Sequence, residues 1–200
     1  PEYLPIDENH PTKPVNFYGF TKLEIERILK WYSELKGLRF AALRYFNAAG
    51  YDMKSRITEM EKNCANLLPI VMETAAGTRE KLLIFGDNYN TADGTGVRDY
   101  IHVNDLATAH IKAMIYLEKE NKDIIVNLGT GNGYSVFDVI NEIKKITGKA
   151  VPYRVVDRRP GDPDDLVAKS LNAKELLGWV PKYSDLNTLL KSMWEMYVGR

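Results

Sequence analysis

A tyrosine and a lysine stand four residues apart in the segment Tyr18-Gly19-Phe20-Thr21-Lys22, where a helix is predicted to begin. In a helix this spacing places the phenol and the ammonium on the same face. The ammonium favours the tyrosinate form, and a phenol in that setting can act as a general base on a hydroxyl. The same pattern recurs at Tyr32 and Lys36. Because the chain has 12 tyrosines, spacing alone does not separate a catalytic pair from an ordinary helix surface.

A glycine-rich turn, Gly129-Thr130-Gly131-Asn132-Gly133, follows a predicted strand and precedes a predicted helix. A dinucleotide-binding turn would read Gly-x-Gly-x-x-Gly and would have an acidic residue about 20 positions further on, and this segment has neither feature. We therefore interpret it as a tight turn that needs a flexible backbone.

Three arginines lie in loops that also contain glycine: Arg98, Arg158 and Arg159. A guanidinium can bind phosphate oxygens through two parallel hydrogen bonds, although a solvated surface position is the alternative for each of them. The histidines and Cys64 show no metal-ligand spacing, so we expect no metal ion. His102 is expected to have a structural role.

The composition excludes several classes of protein. The chain has 200 residues, a formal net charge of +0 and 44% hydrophobic residues, which is ordinary for a globular protein. Zero net charge argues against nucleic-acid binding through a large positive field. No apolar segment approaches the ~20 residues that cross a bilayer. One cysteine, Cys64, cannot form an internal disulfide and suits a reducing compartment such as the cytoplasm.

Helices and short strands alternate along the chain, which predicts an α/β architecture. Helices are predicted over 18–36, 61–76, 106–117, 136–147, 172–177 and 184–198. Strands are predicted over 38–46, 82–85, 97–103, 124–128 and 151–156. We expect a turn at 47–50, a kink or restart at Pro69, and a helix cap at Asn104 or Asp105. The amphipathic helices are interpreted as core elements, one of which faces a partner subunit.

Six segments resemble, in order, motifs of the UDP-glucose 4-epimerases within the extended short-chain dehydrogenase/reductase family. They comprise residues 18–22, 43–50, 66–69, 93–103, 127–131 and 158–162. The segment 93–103, Asp-Gly-Thr-Gly-Val-Arg-Asp-Tyr-Ile-His-Val, is the most specific, whereas Tyr-x-x-x-Lys is shared across the superfamily. The family usually has Pro before the tyrosine and Ser before the lysine. Phe17 and Thr21 stand there in this chain and leave the pair intact.

The resemblance implies the C-terminal part of such an enzyme. Residues 1–50 would form the end of an NAD-binding Rossmann-like domain, and 51–200 a nucleotide-sugar-binding domain interleaved with it. The family's glycine-rich fingerprint and its catalytic Ser/Thr would precede residue 1. We therefore expect an N-terminally truncated chain that is inactive alone.

The implied activity is the NAD-dependent interconversion of UDP-glucose and UDP-galactose through a 4-keto intermediate, in galactose metabolism, by a cytoplasmic homodimer. Tyr18 would be the acid and base on the sugar 4-hydroxyl, and Lys22 would hold the nicotinamide ribose. Tyr45 and Phe46 would also line the cofactor. The substrate-binding residues would be Asn47, Asn66, Leu67, Leu83, Ile84, Phe85, Arg98, Arg159, Asp162 and Leu166.

Within that set, Arg98 and Arg159 would bind the pyrophosphate and Asp162 the ribose. Leu166 would decide whether an N-acetyl group fits, with UDP-glucose and UDP-galactose as the principal pair. The alternatives are another nucleotide-sugar enzyme, a 4,6-dehydratase or a UDP-glucuronate decarboxylase, and a non-catalytic nucleotide-sugar-binding remnant.

Overall fold

A computed structural model of the chain describes residues 1–57, 59–60 and 64–198. The helices are α1 (Phe17–Lys36), α2 (Leu67–Ala75), α3 (Val103–Glu120), α4 (Val136–Thr147), α5 (Leu171–Leu177) and α6 (Leu186–Val198). The strands are β1 (Ala41–Tyr45), β2 (Asn47–Ala49), β3 (Leu82–Phe85), β4 (Val97–Arg98), β5 (Tyr100–His102), β6 (Ile124–Leu128), β7 (Tyr153–Val156) and β8 (Asp165–Leu166).

The strands of the described residues form four parallel pairs: β1 with β6, β2 with β5, β3 with β7, and β4 with β8. Parallel pairs need long crossover connections, which here include the helices. The predicted α/β class is therefore confirmed. Among these residues, no helix is both long and apolar enough to cross a bilayer.

The larger hydrophobic core lies between α2, β3, α4 and α6. Its fully buried members include Met72, Ile143 and Leu189. Helix α4 belongs to this core and has clear start and stop signals. Ser135 and Asp138 form a capping box, and Gly148 ends the helix in the left-handed conformation at φ 65°. Both features were predicted and are confirmed.

A second core joins α3 and α5 to β6. Val126, Leu128 and Ala109 are fully buried in it. Trp179 closes this core, and its indole N–H donates to the Asp105 carbonyl at 3.0 Å. Side-chain donors and acceptors thus fix the loop after α5 against the first turn of α3.

Helix α1 differs from the other long helices. Ser33 is the one buried residue in this described helix, while Ile28 is 51% exposed and Leu35 is 70% exposed. Polar contacts hold it: Arg44 of β1 binds Glu26, and Ser33 donates a hydrogen bond to Asp123. The interpretation of α1 as a core helix is therefore wrong for this chain.

Several predicted boundaries also need correction. Residues 47–49 form β2 rather than a turn, because they pair with β5. Helix α2 begins at Leu67, so Pro69 lies in the first turn, where its missing N–H costs no helical hydrogen bond. Predicted helical residues 61–63 fall outside the described residues. Helix α3 is capped by neither Asn104 nor Asp105, because the His102 side chain accepts the Asn104 N–H.

Candidate functional site

A cleft of about 720 Å³ opens beside α2 and β3. Its lining includes these residues from the predicted site: Tyr18, Phe46, Asn47, Asn66, Leu67, Leu83, Ile84, Phe85, Arg98, Arg159 and Asp162. Lys22, Tyr45 and Leu166 are not among the described lining residues. The fold thus brings eleven of the fourteen residues, from distant segments, into one cleft, and three are not among its described lining residues.

Strand β3 supplies one wall through the alternation of its side chains. Leu82 and Ile84 are each 1% exposed and belong to the larger core. Leu83 is 42% exposed, and Phe85 is partly exposed on the same face. Because successive side chains of a strand point to opposite faces, one short strand both anchors the wall and presents it to the cleft.

Two arginines give the cleft its positive charge. The Arg98 guanidinium lies 2.6 Å from Asp162 Oδ1, and the Arg98 backbone is held by two hydrogen bonds with Tyr134. The Arg159 guanidinium stacks 3.7 Å from the Phe85 ring centroid, in cation–π contact. An ion pair thus holds Arg98 and a ring contact holds Arg159, an arrangement that suits recognition of phosphate oxygens.

Buried Asp99 organises the loops behind the cleft. Its carboxylate accepts hydrogen bonds from Thr130, from the Gly131 N–H and from the Ala168 N–H. Burial raises the pKa of Asp99, and these donors act in the opposite direction. The Asp99 carbonyl accepts from the Asn47 amide at 3.0 Å, so the same residue also orients a lining side chain.

The glycine-rich turn is explained by this packing. A Cβ at Gly129 would lie 2.4 Å from Ala168 Cβ and 2.6 Å from Asp99 Oδ2, so only glycine fits. Gly131 has φ +77°, a conformation that glycine adopts without strain. The interpretation as a strand-to-helix turn is confirmed.

Tyr18 and Lys22 lie at the start of α1, which begins after Asn16. The Asn16 side chain caps the helix by accepting the Gly19 N–H at 2.8 Å. Tyr18 is 70% exposed and reaches the cleft, and the Lys22 ammonium lies 5.2 Å from its ring centroid. The pair therefore shares one helix face, whereas Tyr32 and Lys36 are not among the described residues lining the cleft.

The remaining predicted residues lie near the site without lining it. Tyr45 ends β1 and is 47% exposed. Leu166 pairs with Arg98 across β4 and β8. Their predicted roles stay predictions.

Three tyrosines that line the cleft were missed: Tyr51, Tyr89 and Tyr100. Tyr89 is 5% exposed and lies under Arg158, whose Cζ is 3.8 Å from its ring centroid. Tyr100 is also 5% exposed, and its burial raises the pKa of its phenol. Tyr100 belongs to the motif at 93–103, whereas Tyr89 lies outside every motif and spacing pattern noted in the sequence. The one local signal is Gly86 at φ +91°, where a Cβ would lie 2.9 Å from the Tyr89 ring.

The part of the chain that the structure describes holds no group of three or more His, Cys, Asp or Glu side chains that could bind a metal ion. His102 instead has the structural role that was predicted, because it is fully buried and caps α3.

Comparison with known proteins gives concordant matches. The family model described as GDP-mannose 4,6 dehydratase matches residues 1–193. A UDP-glucose 4-epimerase of Halalkalibacterium halodurans is 46% identical over 197 residues, which cover 98% of this chain and 59% of that protein.

Solved structures agree with this. The UDP-glucose 4-epimerase of Brucella ovis in complex with NAD superposes with a TM-score of 0.93 at 42% identity, covering 98% of this chain and 60% of that one. The enzyme of Bifidobacterium longum in complex with NAD+ and UDP gives a TM-score of 0.90 at 37% identity, covering 100% and 60%. The chain therefore spans about 60% of the length of the relatives that it matches.

Proposed function

The chain belongs to the extended short-chain dehydrogenase/reductase family, and from that premise we propose that its cleft binds a UDP-hexose. We further propose that the protein carrying it interconverts UDP-glucose and UDP-galactose with NAD as cofactor. One observation carries this proposal: Tyr18, which shares a helix face with Lys22, lines the same cleft as Arg98 and Arg159. The choice of substrate is supported by the relatives, which are named UDP-glucose 4-epimerase.

Charged and polar side chains of the cleft hold the nucleotide. Arg98 and Arg159 bind the diphosphate oxygens through charge-assisted hydrogen bonds. Asp162 accepts from the ribose hydroxyls. Asn66 begins α2 without using its side chain as a cap, so that amide is available to the ligand. This anchoring does not depend on the hexose, which leaves the sugar free to present either face.

The residues that line the cleft beside the nucleotide are apolar. Leu67, Leu83 and Phe85 face the uridine, with Ile84 between the last two on β3, and Asn47 and Phe46 lie toward the sugar. Leu166 admits or rejects an N-acetyl group through a shift of its side chain. UDP-glucose and UDP-galactose are the principal substrates.

The residues present fit one end of NAD. A phenol and an ammonium on one face of α1, with Phe46 lining the same cleft as the phenol, match a nicotinamide ribose with its hydroxyls and apolar ring. The cofactor would supply a reversible hydride acceptor for the sugar C4. Lys22 would donate to the ribose hydroxyls. Tyr18 takes the proton of the 4-hydroxyl and gives it back.

We assign residues 1–50 to the cofactor domain and 51–200 to the nucleotide-sugar domain. The pairing of β1 with β6 supports an interleaved arrangement, because it joins residues 41–45 to residues 124–128. The protein acts in galactose metabolism in the cytoplasm, as a homodimer. The apolar side chains exposed on α1 and on α3, including Ile28 and Met114, support a subunit contact.

A dehydratase is the second candidate, because the matching family description names a GDP-mannose 4,6 dehydratase. The relatives at 42–46% identity favour the epimerase. The two functions differ in the nucleotide base of their substrate, uracil for the epimerase and guanine for the dehydratase. Binding of a UDP-sugar or a GDP-sugar therefore distinguishes them.

Calorimetric titration of the chain with UDP-glucose, GDP-mannose and NAD in separate experiments tests the proposal. We expect UDP-glucose to bind and GDP-mannose not to bind.

Arg98→Gln should weaken UDP-glucose binding by about 10- to 100-fold, the usual range for a hydrogen bond to a charged group. Arg154→Gln is the matched control, because Arg154 is exposed on β7 outside the described lining. A preference for GDP-mannose, or equal losses in both variants, would contradict the proposal.

A further inference from the structure

The Tyr89 ring is held in a fixed position at the edge of the cleft. Its backbone N–H donates to the Gly94 carbonyl at 2.9 Å, and Arg158 stacks on one ring face at 3.8 Å. Gly86 allows the ring to lie against the backbone, because a Cβ there would be 2.9 Å from the ring edge. Three separate contacts therefore determine where the phenol hydroxyl lies.

That hydroxyl faces the carboxylate of Asp162. The Tyr89 Oη donates to Asp162 Oδ2 at 3.4 Å, while Asp162 Oδ1 lies 2.6 Å from the Arg98 guanidinium. Burial, followed by the negative charge of Asp162, raises the pKa of Tyr89. The phenol therefore keeps its proton at neutral pH and acts as a donor toward the carboxylate.

Asp162 is thus shared between two donors of unequal strength. A bound diphosphate competes with Asp162 for Arg98, because both are anions and the guanidinium binds whichever is better placed. The phenol is neutral and does not take part in that competition. It remains as the second donor that can hold the carboxylate.

We propose that Tyr89 is a positioning residue for nucleotide binding: its hydroxyl holds the Asp162 carboxylate against the ribose while Arg98 binds the diphosphate. This inference rests on the proposed function, because it presupposes a ribonucleoside diphosphate in the cleft. Tyr89 acts through Asp162 and contacts neither the sugar nor the reacting atoms. Its contribution is to the ribose part of the ligand.

The test is calorimetric titration of the full chain with UDP and, separately, with inorganic pyrophosphate. Tyr89→Phe removes the hydroxyl and keeps the stacked ring. We expect UDP to bind about three- to tenfold more weakly, the effect of one hydrogen bond, with pyrophosphate affinity unchanged. Tyr153→Phe is the matched control, because Tyr153 is 46% exposed on β7 and outside the described lining. It should change neither affinity.

A double-mutant cycle distinguishes positioning from a general structural effect. In the Asp162→Asn background, Tyr89→Phe should no longer weaken UDP binding, because the carboxylate that it orients is gone. An unchanged UDP affinity in Tyr89→Phe would overturn the inference. So would a parallel loss of UDP and pyrophosphate affinity, or the same loss in both backgrounds. If the wild-type chain binds pyrophosphate but not UDP, the proposed function itself fails, and this inference fails with it.

Discussion

Helices α1 and α4 are built from similar local signals and end in different surroundings. Each begins at a polar cap, Asn16 or Ser135, and each ends at a glycine in the left-handed conformation. Helix α4 buries Val139, Ile140 and Ile143 in the larger core. Helix α1 buries only Ser33 among its described residues. Caps and apolar spacing therefore specify a helix, but they do not specify what the helix packs against.

The two helices also contribute differently, one to stability and the other to the proposed chemistry. Stability comes from the α4 side, where apolar side chains are removed from water. The proposed chemistry comes from α1, whose Tyr18 and Lys22 share a face that reaches the cleft. A helix held by polar contacts can thus position a reactive phenol without contributing much to the core.

Tyr18→Phe should have the largest effect on turnover and should show most clearly that α1 and α4 have different roles. In the protein that carries this chain, assayed for the proposed epimerase activity, we expect turnover to fall at least ~100-fold, because the change removes the proposed proton-transfer group. The free energy of unfolding should be unchanged, since Tyr18 is 70% exposed. Turnover is measured by a coupled UDP-galactose assay and unfolding by urea titration.

Tyr32→Phe is the control on the same helix, because Tyr32 precedes Lys36 at the same spacing. It should retain full turnover. If Tyr18→Phe kept more than about a tenth of the turnover, Tyr18 would not be the base.

Ile140→Ala tests the stability half of the comparison. Ile140 is 1% exposed, so its truncation should lower the free energy of unfolding by about 2–5 kcal/mol through lost burial and a cavity. Ile28→Ala makes the same change on α1, where the side chain is 51% exposed, and should cost less than about 1 kcal/mol. Urea unfolding measures both. Equal losses would show that α1 contributes to the core in solution.

The same contrast explains how far the sequence could predict this structure. The capping box of α4, Gly148 and the strand at 82–85 follow from local patterns, and these were confirmed. Residues 47–49 of the predicted turn form a strand because they pair with β5, which lies far along the chain. His102 caps α3 through a ring nitrogen, whereas the pattern favoured Asn104 or Asp105. Long-range pairing and unusual caps leave no local trace.

The site shows a similar division. Motif residues such as Arg98, Arg159 and Asp162 line the same cleft, although they come from distant segments. Tyr89 was missed because its role depends on Arg158 and Asp162, which lie in another loop. Residues that support other residues are recognised only once their partners are placed.

His102 lies where α3 meets α6, and it should make stability depend on pH. Its Nδ1 accepts the Asn104 N–H, and its Nε2 lies 3.2 Å from Ser192 Oγ. Burial lowers the pKa of His102, although the nearby carboxylates of Asp105 and Asp52 oppose this. The unfolded chain therefore binds the proton more readily than the folded one below an unfolded-state pKa of ~6.5.

Stability should consequently fall as the pH drops below ~6.5, by at most about 1.4 kcal/mol for each pH unit until the folded pKa is reached. His102→Asn keeps an acceptor at the cap and removes the titration, so the curve should flatten between pH 7 and 5 relative to wild type. Urea unfolding across this range measures the slope. An identical slope in the variant would show that other groups cause the pH dependence.

The smallest effect should come from the ion pair that joins α1 to β1. The Arg44 guanidinium binds both carboxylate oxygens of Glu26, at 2.7 and 2.5 Å, and the two side chains are only 25% and 19% exposed. Glu26→Gln should lower the free energy of unfolding by about 1 kcal/mol, because a two-point pair in partial burial is worth more than a surface pair. Glu24→Gln is the matched control: its pair with Arg27 lies on the helix surface and should contribute less than about 0.5 kcal/mol.

Hydrogen exchange should rise along α1 and stay unchanged along α4 in Glu26→Gln, because the pair of Glu26 with Arg44 tethers only α1. Faster exchange in α4 would mean that the two helices unfold as one unit, and the division between them would not hold.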